Sequence, residues 1–143
     1  MNGKDITIII ITYNRYPYLL RLLKFYDNYN HDFSFLILDS SSHELHDNTL
    51  RNYLERENVI YKKYESSILF AHKIAKGCDS INTPFSVICA DDDFLIPIGI
   101  LDSRDFLLSN DDYSSAHGLY FHHQNRDFAL KSDIVLTFSL SKS

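Results

Sequence analysis

The sequence predicts an α/β fold: three layers, α/β/α, around a mostly parallel central sheet. Three observations carry this. Strand-like and helix-like segments alternate along the chain, which favours βαβ units over hairpins. The first strand candidate, Ile6 to Thr12 (ITIIIIT), is apolar and β-branched with no polar alternation, as expected of a strand covered on both faces. Polar clusters follow directly on three apolar strands, at Thr12 to Arg15, Asp39 to Ser42 and Asp91 to Asp93. In open parallel sheets, ligands gather beyond the carboxyl ends of the strands.

The elements follow in order. After the first strand, Tyr13 to Tyr16 is a polar turn, and Pro17 suits the first turn of a helix. Leu19, Leu22, Leu23 and Tyr26 then recur at helical spacing. Phe33 to Leu38 (FSFLIL) reads as the second strand, and Ser40 to Asn48 as loop or the start of a helix. A short polar helix is expected over Leu50 to Arg56 and a third strand over Val59 to Lys63. Ser66 and Ser67 can cap a helix from Ile68 to Lys76, with Gly77 as its stop. Phe85 to Ala90 (FSVICA) is the fourth strand and Pro97 to Leu108 a further helix. Asp111 to Gly118 reads as a turn, and Leu119 to His123 as the beginning of another strand.

Composition bounds the function. The chain has 143 residues, 45% hydrophobic and 23% charged, with 4 Gly and 3 Pro, which fits one domain over residues 1–143 and excludes collagen-like and disordered classes. The net charge is −5, against the basic balance usual for nucleic-acid binders, so no nucleic-acid partner is expected. Two cysteines, Cys78 and Cys89, form no CxxC pair, which excludes a disulfide scaffold and a Cys-rich zinc site. A cytoplasmic location follows as the default. The apolar run at Ile8 to Ile11 is far short of the roughly 20 residues of a membrane span, and it does not read as a secretory signal.

The strongest chemical feature is Asp91-Asp92-Asp93 at the end of the fourth strand. Adjacent carboxylates repel unless a cation or solvent offsets them. Mg²⁺ and Mn²⁺ prefer oxygen ligands and often take one or two carboxylates plus phosphate oxygens. The alternative is an ordinary acidic turn. Asp39 can accept a hydrogen bond from a base N–H or a ribose hydroxyl, or cap its own turn. Tyr13 can stack on a base and Arg15 can meet a phosphate, while Asn14 can simply cap the next helix. There is no GxxxxGKS and no GxGxxG, so phosphate binding falls to metal and side chains. Lys73 and Lys76 face either a phosphate or solvent. His117, His122 and His123 lack metal-ligand spacing, and Cys89 reads as a buried, inert thiol.

Taken together, ITIIIITYNRYPYLLRLL, FLILDSSS and FSVICADDDFLIPIGI resemble, in order, the nucleotide-sugar half of GT-A fold glycosyltransferases of the family 2 type. The triple Asp, followed by Pro97, looks like a variant of that family's DxD motif. The resemblance covers Ile6 to Gly118. It implies a glycosyltransferase of polysaccharide biosynthesis, using a nucleotide-diphosphate sugar, typically a UDP-sugar, and Mn²⁺ or Mg²⁺. Tyr13, with backbone at Ile11 and Thr12, would pack on the base; Asp39 would bind the base edge. Asn14, Arg15 and Lys73 join the donor site, Asp91 serves both ribose and metal, and Asp92 and Asp93 complete the metal set.

The pattern also departs from the family. Ser40 and Ser41 stand where its Asp-Asp-Gly-Ser turn carries the second acid and the Gly, and His72-Lys73 stands where Arg-Asn is common. The acceptor half is expected to be largely absent, and neither Asp127 nor Asp133 is assignable as a base. The acceptor, whether glycan, lipid or protein, is unassigned. An uncovered apolar face would favour a homodimer or instability; the expected cytoplasmic location extends to the membrane periphery. Two other classes remain: a non-catalytic nucleotide-sugar-binding or accessory module, and a nucleotidyltransferase-like enzyme. The latter would carry a Gly-rich, basic N-terminal loop, which is missing here.

Overall fold

The computed structural model of the chain describes residues 3–116 and residue 118. Four strands alternate with four helices: β1 (Ile6–Thr12), α1 (Tyr16–Asp27), β2 (Ser34–Asp39), α2 (Asn48–Leu54), β3 (Val59–Lys63), α3 (Phe70–Cys78), β4 (Phe85–Ala90) and α4 (Pro97–Ser109). The strands form one sheet in the order β3-β2-β1-β4, and every pairing is parallel. The expected α/β class and parallel sheet are therefore what the chain adopts. The strand proposed at Leu119 to His123 lies outside the described residues, as do His117, His122, His123, Asp127 and Asp133.

Side chains alternate across the sheet, so each strand feeds two cores. Ile6, Ile8 and Ile10 of β1 join Phe35 and Ile37 of β2 in the larger core. There they meet Leu19, Leu22, Leu23 and Tyr26 of α1, Leu50 of α2, and Ile100 and Leu101 of α4. The four α1 residues are those expected to form its apolar face, and burying each contributes about 1.5–3 kcal/mol of transfer free energy. On the other face, Ile9, Leu36, Leu38 and Ile81 form a smaller core beneath α3.

Gly77 is not the stop of α3. It lies inside the helix, without a positive φ, and a Cβ there would come within 2.6 Å of both Leu38 methyls. Glycine is present because the helix backbone rests directly on β2. Ser66 and Ser67 form a turn ahead of the helix, whose N-cap is Leu69 with no side-chain cap bond. The second strand begins at Ser34 and takes in Asp39, one residue later than its apolar run suggests, because Asp39 pairs with both Thr12 and Lys63. Helix α2 starts at Asn48 because Asp47 caps it, its carboxylate accepting from Leu50 N at 3.0 Å. Asp47→Ala is expected to lower stability by about 1 kcal/mol, read as a shifted urea midpoint at constant slope. An unmoved midpoint would mean that this helix end contributes nothing.

The topology positions the site. From β1 the chain steps to β2 and β3, then returns to place β4 on the other side of β1. Strand order reverses there, and in open parallel sheets ligands bind beyond the carboxyl ends of the strands at such a point.

Candidate functional site

Because all four strands are parallel, Thr12, Asp39, Lys63 and Ala90 end them on one edge. The polar clusters singled out in the sequence converge there. Thr12 Oγ1 donates to Asp91 Oδ2 at 2.7 Å, tying β1 to the end of β4. Ile11 lies one residue back, paired with Leu38 and Ala90.

The three consecutive aspartates do not act as one cluster. Asp91 is buried at 3% exposure, turned onto Thr12 and Arg15. Burial raises its pKa above the ordinary carboxylate value, and the Thr12 bond and the Arg15 charge only partly offset this. Asp92 is half-exposed and accepts from Arg15 Nη2 at 2.7 Å, which holds its pKa low. Asp93 is exposed, and its amide closes a turn on Ala90 O. Among the described residues, no three His, Cys, Asp or Glu side chains are grouped to hold a metal. The expected Asp91, Asp92 and Asp93 set is thus not assembled, because successive residues leaving a strand into a turn point in different directions. Asp91 and Asp92 nevertheless share one cationic group, the Arg15 guanidinium, at 3.4 and 2.7 Å. Their hard oxygen donors are of the kind that Mg²⁺ and Mn²⁺ prefer.

Asp39 is fully buried. Its Oδ1 accepts from Ser41 N at 2.6 Å, the turn-capping bond foreseen as the alternative to base recognition. Its Oδ2 accepts from Tyr61 Oη at 2.6 Å, Tyr16 Oη at 2.9 Å and Lys63 Nζ at 2.9 Å. Burial pushes its pKa up, but the bonds from Ser41, Tyr61 and Lys63 outweigh burial and leave it below its ordinary value.

The β1–α1 turn borders this edge. Tyr13 is 51% exposed, as a ring free to stack must be. Asn14 takes φ 54°, the left-handed region that Asn tolerates better than most residues. It does not cap α1; Arg15 is the N-cap, without a side-chain bond. Asn14 Oδ1 instead accepts from Ser42 N at 2.9 Å, and its own N–H donates to Ser41 Oγ at 2.7 Å. The strained turn thereby fixes the β2 loop against the β1 loop.

Lys73 is buried at 3% exposure rather than solvated. Helix α3 delivers its Nζ between two strand ends, where it donates to Ser40 Oγ at 2.8 Å and Thr12 O at 3.2 Å. Burial lowers its pKa, while Asp39 and Asp91 pull the other way. Its ammonium thus serves as an internal counter-charge beneath both carboxylates. Cys89 is buried as expected, and burial pushes its thiol up to about 12, which leaves it a neutral packing group.

Tyr16, Tyr61 and Lys63 were not anticipated as site residues. The available signal was Lys63, the last residue of a strand that, once paired, sets it beside Asp39.

No protein-family model matches the chain, and no curated protein matches it by sequence. Solved structures do match. S. aureus TarS residues 1–349 superpose with TM-score 0.67 at 16% identity, over 88% of this chain and 38% of that one. S. aureus TarS gives TM-score 0.59 at 16% identity, over 88% of this chain and 23% of that one. The mannosyltransferase PcManGT from Pyrobaculum calidifontis, in complex with GDP-Man and Mn²⁺, gives TM-score 0.60 at 17% identity, over 78% of this chain and 34% of that one. The chain carries a GT-A-like glycosyltransferase fold and spans well under half the length of the chains it matches.

Proposed function

We propose that this chain binds a nucleotide-diphosphate sugar, a UDP-sugar first among candidates, as the donor region of a glycosyltransferase. One observation carries the proposal: on a GT-A-like fold, Tyr13, Arg15, Asp91 and Asp92 meet at the strand-order reversal, with Asp39 beside them. Tyr13 offers an exposed ring for the base at this edge. Asp39 reaches a base only through the loop it caps, since its own oxygens are engaged by Ser41, Tyr16, Tyr61 and Lys63. Its contribution to recognition is therefore to hold Ser41 in place, while Asn14 holds Ser42.

Asp91 and Asp92 would hold a divalent cation, Mn²⁺ or Mg²⁺. When bound, such an ion neutralises charge developing on the leaving diphosphate. Lys73 and Arg15 supply positive charge at the same edge, and Thr12 orients the Asp91 carboxylate. Transfer to an acceptor hydroxyl requires a base, which the described residues do not identify. Among the described residues, no helix is long and apolar enough to cross a membrane.

Calorimetry with UDP, GDP and CDP, each in Mn²⁺ and in chelator, tests the proposal. UDP is expected to bind best, with about 10-fold or more lost in chelator, a typical price for losing a charge-assisted contact. Equal affinity in both conditions would remove the metal from the account, and absence of binding to all three would remove the donor site.

A further inference from the structure

Arg15 is bound to both carboxylates proposed to hold the metal. Its guanidinium faces Asp92 at 2.7 Å and Asp91 at 3.4 Å, and no other cationic side chain among the described residues forms an ion pair with either. The side chain is 40% exposed, so its bonds to the pair can open without unpacking the core. It also has a second support: its Cζ lies 4.4 Å from the Tyr18 ring centroid, a cation–π position that does not require the carboxylates. The loop would not be released if Arg15 left. Arg21 Nη2 holds the main-chain carbonyl of Asp92 at 3.3 Å, and that guanidinium is itself stacked on Phe94 and Tyr18.

We propose that Arg15 is the resident counter-ion of the Asp91–Asp92 pair, and that it yields the pair to a divalent cation while keeping its place over Tyr18. The inference rests on the reading of this edge as a donor site. Its logic is charge exchange. Two adjacent carboxylates repel unless a cation or solvent offsets them, and the guanidinium supplies that cation until a metal arrives. A guanidinium spread across both carboxylates competes with a metal ion for their oxygens, and the two like charges repel. Metal binding would therefore leave the guanidinium available at the same edge, and guanidinium forks suit phosphate oxygens. The arrangement couples metal and nucleotide: metal alone competes with Arg15, while metal with diphosphate gives Arg15 a new partner.

The test separates the two ligands. Binding of Mn²⁺ alone is followed by the electron paramagnetic resonance signal of the free ion, for the unaltered chain, Arg15→Gln and Arg15→Lys. UDP binding is then measured calorimetrically in saturating Mn²⁺. Arg15→Gln is expected to bind Mn²⁺ about 5-fold more tightly, the gain from removing a half-exposed competing ion pair. The same variant should bind UDP about 10-fold more weakly, for loss of a charged donor. Arg15→Lys should lie between the two on both scales. These opposite signs distinguish exchange from a structural clamp, whose loss would weaken both ligands together. Unchanged or weaker Mn²⁺ binding by Arg15→Gln, or no Mn²⁺ binding by any of the three chains, would overturn the proposal. Tighter Mn²⁺ binding by Arg15→Gln with no UDP binding by any chain would uphold the exchange and overturn the donor reading instead.

Discussion

Asp39→Ala is expected to lower the stability of the chain by about 2–4 kcal/mol, because it strips acceptors from several inward-facing donors at once. The donors are Ser41 N, Tyr16 Oη, Tyr61 Oη and Lys63 Nζ. Lys63 is 43% exposed and recovers water, so the loss falls on the Ser41 amide and the two phenols. Asp39→Asn keeps the volume but turns an N–H₂ toward donors, and should cost nearly as much. The pH dependence carries a definite sign. The folded-state pKa of Asp39 lies below its ordinary value of 3.8, so the stabilisation is present above that value and is lost as pH falls through the folded pKa. Urea denaturation of the unaltered chain and Asp39→Asn should therefore differ most near neutrality and converge on acidification below about pH 3.8. A gap that stayed constant with pH would show that the carboxylate charge is not the source of the effect.

Asp92→Ala is expected to weaken UDP binding in Mn²⁺ on the order of 10–100-fold, since even indirect support of a bound metal commonly matters that much. In chelator the same substitution should change little. The fold should be nearly indifferent, because the Asp92 side chain is 42% exposed and substitutions at such surface positions usually stay within about 0.5 kcal/mol. Asp91→Asn is the contrasting variant. It keeps the buried volume and the bond from Thr12 Oγ1 while removing the charge at 3.4 Å from Arg15. Calorimetry on the three chains, with and without Mn²⁺, reads the effect. UDP affinity in Mn²⁺ that is unchanged in Asp92→Ala would place the metal elsewhere.

Much of the fold was legible because each strand is a short β-branched or aromatic run with a polar stop. The limits of β1, β3 and β4 coincide with those runs, and Pro17 lies where α1 begins. What could not be read locally depends on neighbours in space. Asp39 extends β2 only because Thr12 and Lys63 flank it. Gly77 looks like a helix stop in the sequence, yet its reason is the Leu38 side chain beneath it. Asn14 looks like a cap, but its partners are in a loop almost thirty residues away. Lys73 falls on a short helix whose buried face is set by the second side of the sheet, which periodicity over nine residues did not resolve. The acidic run was conspicuous, but its division into a buried, an ion-paired and an exposed aspartate follows from Arg15 and Thr12, not from the run itself.

The central claim is that a nucleotide-diphosphate sugar binds at the carboxyl edge of this sheet, and mapping amide chemical shifts on adding UDP with Mg²⁺ tests it most directly. The account predicts shifts concentrated at residues 11–15, 39–42 and 91–93, with little change at the opposite end of the sheet, where Asp27, Tyr53, Arg56 and Asn58 line a small cleft. Shifts concentrated around that cleft, with the carboxyl edge silent, would contradict it.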